Sequence, residues 1–262
     1  HSAAVEASES AGVFRAARAL ISRACPGGPL PAEWWAATCD VVDVQAVQLV
    51  APMFAFAMAR SIHQSTLESA SWAEPMVRDC IHIVKAHASA GLLERGVCCF
   101  WAFSNACIIL ELAARVEADA AFMLESGVID GLDYGCLNDF TFTSSSVSSY
   151  AAGAVVALVG RNEGGKTLSR TAVNSVLEHC ALYFDPASYK FAAGASSMTT
   201  GIRRIAIMAI SDANKKIMLQ HDKLLDTIVA GLLLDDTDPR RGQDGADALQ
   251  EACAGVLHEL AL

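Results

Sequence analysis

The chain has 262 residues, of which 53% are apolar and 18% charged, and its formal net charge is −10. That length and apolar share suffice to bury one large core or two ordinary ones, which excludes wholesale disorder. The basic pairs are Arg203-Arg204, Lys215-Lys216 and Arg240-Arg241; this acidic balance argues against nucleic acid, which calls for a basic patch, and points to a basic protein surface or peptide as partner.

In chain order, apolar residues recur at helical spacing over 4–24, 32–39, 44–63, 74–88, 92–114, 128–138, 147–160, 167–184, 198–211, 215–220, 224–234 and 247–262. Turn-forming residues punctuate these segments at Pro26-Gly27-Gly28, Gly164-Gly165, Asp185-Pro186 and Asp238-Pro239. Few stretches alternate apolar and polar residues as a half-buried strand would, so an all-α fold without a sheet is expected. The charge-free apolar run at 96–110 is too short to cross a bilayer and holds Ser104 and Asn105. The run at 44–59 is broken by Pro52, and no membrane span is expected.

Repetition is the informative signal. The order apolar, polar, small, apolar occurs as Ile129-Asp130-Gly131-Leu132, Val173-Asn174-Ser175-Val176 and Leu225-Asp226-Thr227-Ile228. Each copy is followed four residues later by an apolar position, Cys136, Cys180 or Leu232. A second pattern recurs as Leu110-Glu111-Leu112-Ala113, Val156-Ala157-Leu158-Val159, Met208-Ala209-Ile210-Ser211 and His258-Glu259-Leu260-Ala261. The steps between its third positions are about 50 residues, near the period of two- and three-helix repeats. A lone helix pair cannot bury its apolar stripe, whereas stacked copies share one continuous core.

The segments from Asn214-Lys215-Lys216-Ile217 to Leu232-Leu233 and from Leu249-Gln250-Glu251-Ala252 to Leu260-Ala261 resemble the later helices of an armadillo repeat. Phe100-Trp101-Ala102-Phe103-Ser104-Asn105 resembles the Trp-x-x-x-Asn element of peptide-binding armadillo proteins. The resemblance covers 92–262 and, more vaguely, the part before. It implies a right-handed α-solenoid, an armadillo/HEAT-like superhelix over 1–262, with divergent repeats in 1–90 and clearer ones in 91–262. The chain stops inside an apolar helix at Ala261-Leu262, so it is expected to be a piece of a longer array. Residues 140–149, 185–197 and 235–247 are then loops along one edge of the stack.

The expected function is that of a protein-binding scaffold, not an enzyme, with a protein or peptide held on the concave helix face or on the edge loops. A structural subunit of a large assembly is the alternative within the same architecture. Trp101 and Asn105, four residues apart on one helix face, are the first candidate contacts, as a rigid anchor and a backbone-pairing amide. Arg203 and Arg204 follow, because a guanidinium fork can hold a carboxylate. No later copy repeats the Trp-x-x-x-Asn pair, so recognition of basic localisation signals is not carried over.

One motif competes with this reading. Gly160-Arg161-Asn162-Glu163-Gly164-Gly165-Lys166-Thr167 satisfies the phosphate-loop pattern, and Leu232-Leu233-Leu234-Asp235-Asp236 resembles the magnesium-binding strand of such enzymes. A phosphate loop needs a strand before it and a helix after it. Here the preceding residues Val156–Val159 belong to the helical repeat pattern, so a loop between helices is expected and no cofactor. The nine cysteines form no C-x-x-C pair, and with seven scattered histidines they offer no metal site. Most lie in apolar helices, which predicts reduced core thiols and a reducing, cytoplasmic location.

Overall fold

The computed structural model describes residues 73–91, 97–114, 116–138, 141–142, 145–159, 167–185, 198–235, 237–238 and 245–262. The helices expected at 4–24, 32–39 and 44–63 lie outside the described residues. The chain divides into two compact units, His1–Tyr134 and Gly135–Leu262. Among the described residues there are ten helices and one short ribbon.

In the first unit, α1 (Ala73–Ala90) packs against α2 (Val97–Ala113) and α3 (Glu117–Glu125). Val77, Cys80, Ile81, Val84 and His87 of α1 are buried, the three-and-four spacing of a helix with one covered face. α2 differs: every residue from 103 to 113 is buried, as befits a helix apolar on all sides. Arg78 stacks over the Phe122 ring at 4.6 Å, and Lys85 Nζ donates to the Ser126 carbonyl at 2.9 Å. Gly127, at φ 69°, turns the chain from α3 into α4 (Val128–Leu137).

The small position of the repeated tetrapeptide has a steric cause. A Cβ on Gly131 would lie 2.8 Å from Val84 Cγ1, so α4 approaches α1 more closely there than alanine permits. In the next copy, Ser148 Oγ donates to Ser175 Oγ at 2.6 Å, and in the third Thr227 is buried.

The second unit opens with a two-residue antiparallel ribbon, β1 (Thr141–Phe142) with β2 (Ser145–Ser146), pairing Thr141 with Ser146 and Phe142 with Ser145. It corrects the expectation of no paired strands, within a stretch read as a loop. Then come α5 (Val147–Val159), α6 (Arg170–Phe184), α7 (Met198–Met208), α8 (Asp212–Met218), α9 (Lys223–Leu233) and α10 (Gly245–Ala261). Their contacts form two rows, α5 to α7 to α10 and α6 to α9, cross-linked where α6 meets α5 and α7 and where α9 meets α10.

α6 starts at Arg170 because Ser169 caps it: its Oγ accepts from Ala172 N at 3.1 Å and donates to the Cys136 carbonyl at 3.2 Å. The interior of this unit is partly polar. The His179 ring sits edge-on between Tyr150 and Tyr183, at 5.5 and 5.4 Å between centroids. Cys80, Cys107, Cys136, Cys180 and Cys253 are buried thiols, and burial pushes the Cys253 thiol up to about 11, which keeps it protonated and unreactive.

Gly231 marks the closest crossing, since a Cβ there would stand 2.5 Å from Cys253 Sγ and 3.3 Å from Phe184 Cζ. Gly231→Ala gains helix propensity but overpacks this crossing, for an expected net loss of about 1–2 kcal/mol in urea unfolding. In a Cys253→Ala background the sulfur is gone and most of that loss should vanish. An equal loss in both backgrounds would put the cause elsewhere.

Candidate functional site

The four residues singled out from the sequence divide between the units. Trp101 lies on α2, and its side chain is outside the described residues. Asn105, one turn further along α2, is completely buried, and neither its Oδ1 nor its Nδ2 has a hydrogen-bond partner among the described residues. On α7, Arg203 is exposed whereas Arg204 is buried. Adjacent helical residues point about 100° apart, and of this pair Arg203 is the one that reaches the surface.

An orphaned buried amide costs more than it contributes. Asn105→Ala is therefore expected to raise stability by about 1 kcal/mol, from relief of the amide and from helix propensity. A loss of about 2 kcal/mol, typical of a hydrogen-bonded buried asparagine, would refute this account.

Of the helices expected to offer an open face, α5 and α7 are largely covered, whereas α10 is exposed along much of its length. α5 is buried from Val147 through Val156, and α7 buries eight of its eleven residues, Arg203 being exposed. Exposed large apolar side chains concentrate instead on the last three helices. Leu219 follows α8, and on α9 Leu225, Val229 and Leu233 are 57%, 49% and 78% exposed. Their spacing of four places them in one column along the helix. The opposite face of α9, with Leu224, Thr227, Ile228 and Gly231, is buried, and α9 packs on α6 and α10. Asp222 and Asp226 are exposed on the outer side with the column. Sequence reading passed over this column because α9 is apolar on both sides, and the spacing does not say which side is covered.

The residues of the phosphate-loop pattern are placed only in part. Residues 160–166 lie outside the described residues. The preceding run is helix α5, where a phosphate loop requires a strand. Thr167 Oγ1 is 3.3 Å from Ser211 Oγ, and Leu168 N donates to Asn214 Oδ1 at 2.9 Å. At the other half of the pattern, α9 ends at Leu233, and Asp235 Oδ1 accepts from both Thr237 N and Thr237 Oγ1, at 2.7 and 2.6 Å.

The residue that the sequence did not single out is Asn214. It is fully buried, and besides accepting from Leu168 N it donates through Nδ2 to the Met208 carbonyl at 3.0 Å. One side chain thus joins the approach to α6, the end of α7 and helix α8. Among the described residues no three His, Cys, Asp or Glu side chains are grouped to hold a metal ion, and no described helix is long and apolar enough to cross a membrane. No protein family, curated protein or solved structure matches the chain.

Proposed function

We propose that this chain is a protein-binding scaffold of the armadillo/HEAT type, a right-handed α-solenoid that works by presenting helix surfaces and not by catalysis. The observation that carries the reading is the exposed apolar column Leu225, Val229 and Leu233 on a helix whose other face already serves the core. Contiguous apolar surface of this kind is costly to leave in water and marks sites of association. Supporting it, helices of like position in the repeated sequence contact one another in series, α5, α7 and α10 in one row and α6 and α9 in the other, as stacked repeats do. The buried thiols suit a reducing compartment.

The test is co-purification with the full chain, followed by cross-linking to locate the contact. The reading expects a partner protein that co-elutes in fixed ratio and cross-links to exposed helix side chains or to the edge loops. Calorimetry with ATP and magnesium is the opposing measurement. Micromolar nucleotide binding abolished by Lys166→Ala, with no partner recovered, would overturn the scaffold reading.

A further inference from the structure

We propose that the outer side of α9 docks an amphipathic α-helix of a partner protein, one with leucine-type anchors along one face and lysine or arginine on its flanks. The proposal rests on the scaffold reading and specifies its partner. Leu225, Val229 and Leu233 repeat every four residues over two turns, a ridge that matches the i, i+3/i+4, i+7 anchors of a helix laid alongside. Leu219 is also exposed, in the turn before α9.

Charge decides the occupant. Asp222 and Asp226 stand exposed beside the column and outnumber the exposed Lys223 between them, on a chain whose net charge is −10. Pairing this face with a second copy would gather the aspartates of both copies in one interface, which like-charge repulsion opposes. A helix with basic flanks meets the same aspartates with opposite sign and gains encounter rate from the overall acidity.

The full chain is titrated by fluorescence anisotropy with three labelled synthetic peptides of equal length. One has leucine and lysine in heptad order, one has the same composition scrambled, and one carries glutamate in place of lysine. The heptad Leu/Lys peptide should bind on the order of micromolar, the other two roughly tenfold or more weaker. Val229→Asp should weaken binding roughly tenfold although it adds negative charge, because it interrupts the apolar column. Asp222→Ser with Asp226→Ser should cost less, and that loss should disappear at high salt. Leu124→Asp, at an exposed position on α3, should change nothing.

Equal binding of heptad and scrambled peptides would mean mere charge attraction and overturn the proposal. So would an unaffected Val229→Asp variant, or no binding of the heptad peptide. A dimer seen by ultracentrifugation and dissolved by Val229→Asp would assign the face to a second copy and overturn it too. If the unaltered chain still co-purifies with a partner while the peptide test fails, this docking site falls and the scaffold reading stands.

Discussion

Asn214→Ala is expected to lower the unfolding free energy by about 3 kcal/mol, more than any other single substitution considered for this chain. The side chain is fully buried and holds two backbone groups from separate segments, Leu168 N and the Met208 carbonyl. Truncation takes the acceptor from Leu168 N, at about 1–3 kcal/mol, weakens the bonding of the Met208 carbonyl, and adds a small void. The Met208 carbonyl also accepts from Ser211 N at 3.3 Å as the chain turns into α8, so its loss is the smaller of the two. Asn214→Asp separates the two bonds. A carboxylate still accepts from Leu168 N but faces the Met208 carbonyl with lone pairs, so it should be destabilising as well and most of all near neutral pH. Urea unfolding measures the total. Hydrogen exchange at Leu168 and through α8 localises it, and a uniform loss across the second unit would argue against a local clip.

The helices were legible where one apolar face repeats. α1, α4, α5 and α7 begin or end within a residue or two of expectation, and the small position at Gly131 was visible before its contact with Val84. α3 was not found. Its sequence, Glu117–Glu125, puts acids at one end and Phe122, Met123 and Leu124 at the other, with Met123 alone buried. Such a helix has no apolar stripe to read, and Val116 at its start offers no side-chain cap. The signals that could have found it were the acids of its first turn and the Ser126-Gly127 stop, where the backbone N–H groups close on Phe122 and Leu124.

The site was less legible than the fold because exposure depends on neighbours distant in sequence. Trp101 and Asn105 were chosen for sharing a face, yet α2 is apolar around its whole circumference and Asn105 is enclosed. Arg203 and Arg204 are neighbours in sequence and opposite in burial. The role of Asn214 needs the start of α6 and the end of α7 to be adjacent, and no periodicity encodes that. The column on α9 was hidden by the richness of its own sequence, since Leu224 and Leu225 are equally apolar and only packing on α6 and α10 makes one of them core.

Acid should destabilise the first unit through His87. This side chain is buried on α1, its Nδ1–H donates to the Ile83 carbonyl at 2.7 Å, and the Phe103 ring lies 6.1 Å away between centroids. Burial pushes the imidazole down from 6.5 to about 4, with the Ile83 carbonyl opposing the shift and His82 adding to it. In the unfolded chain the same group titrates near 6.5. Above that value it is neutral in both states and its contribution to stability is independent of pH. As pH falls from 6.5 towards 4 the unfolded chain takes up the proton and the folded chain does not, so unfolding gains free energy throughout that window. The total is about 3 kcal/mol, at about 1.4 kcal/mol for each pH unit. Below about 4 both states are protonated and the His87 contribution levels off. Carboxylates also titrate at the acid end of this range, so the decisive quantity is a difference between two proteins. His87→Leu removes the titration while keeping an apolar side chain in the space. Its stability, measured by urea unfolding at several pH values, should fall less steeply than that of the unaltered chain between pH 6.5 and 4, by most of the 3 kcal/mol. Parallel pH profiles would show that His87 takes up its proton without unfolding α1, and that the Ile83 carbonyl and water together accommodate the charge.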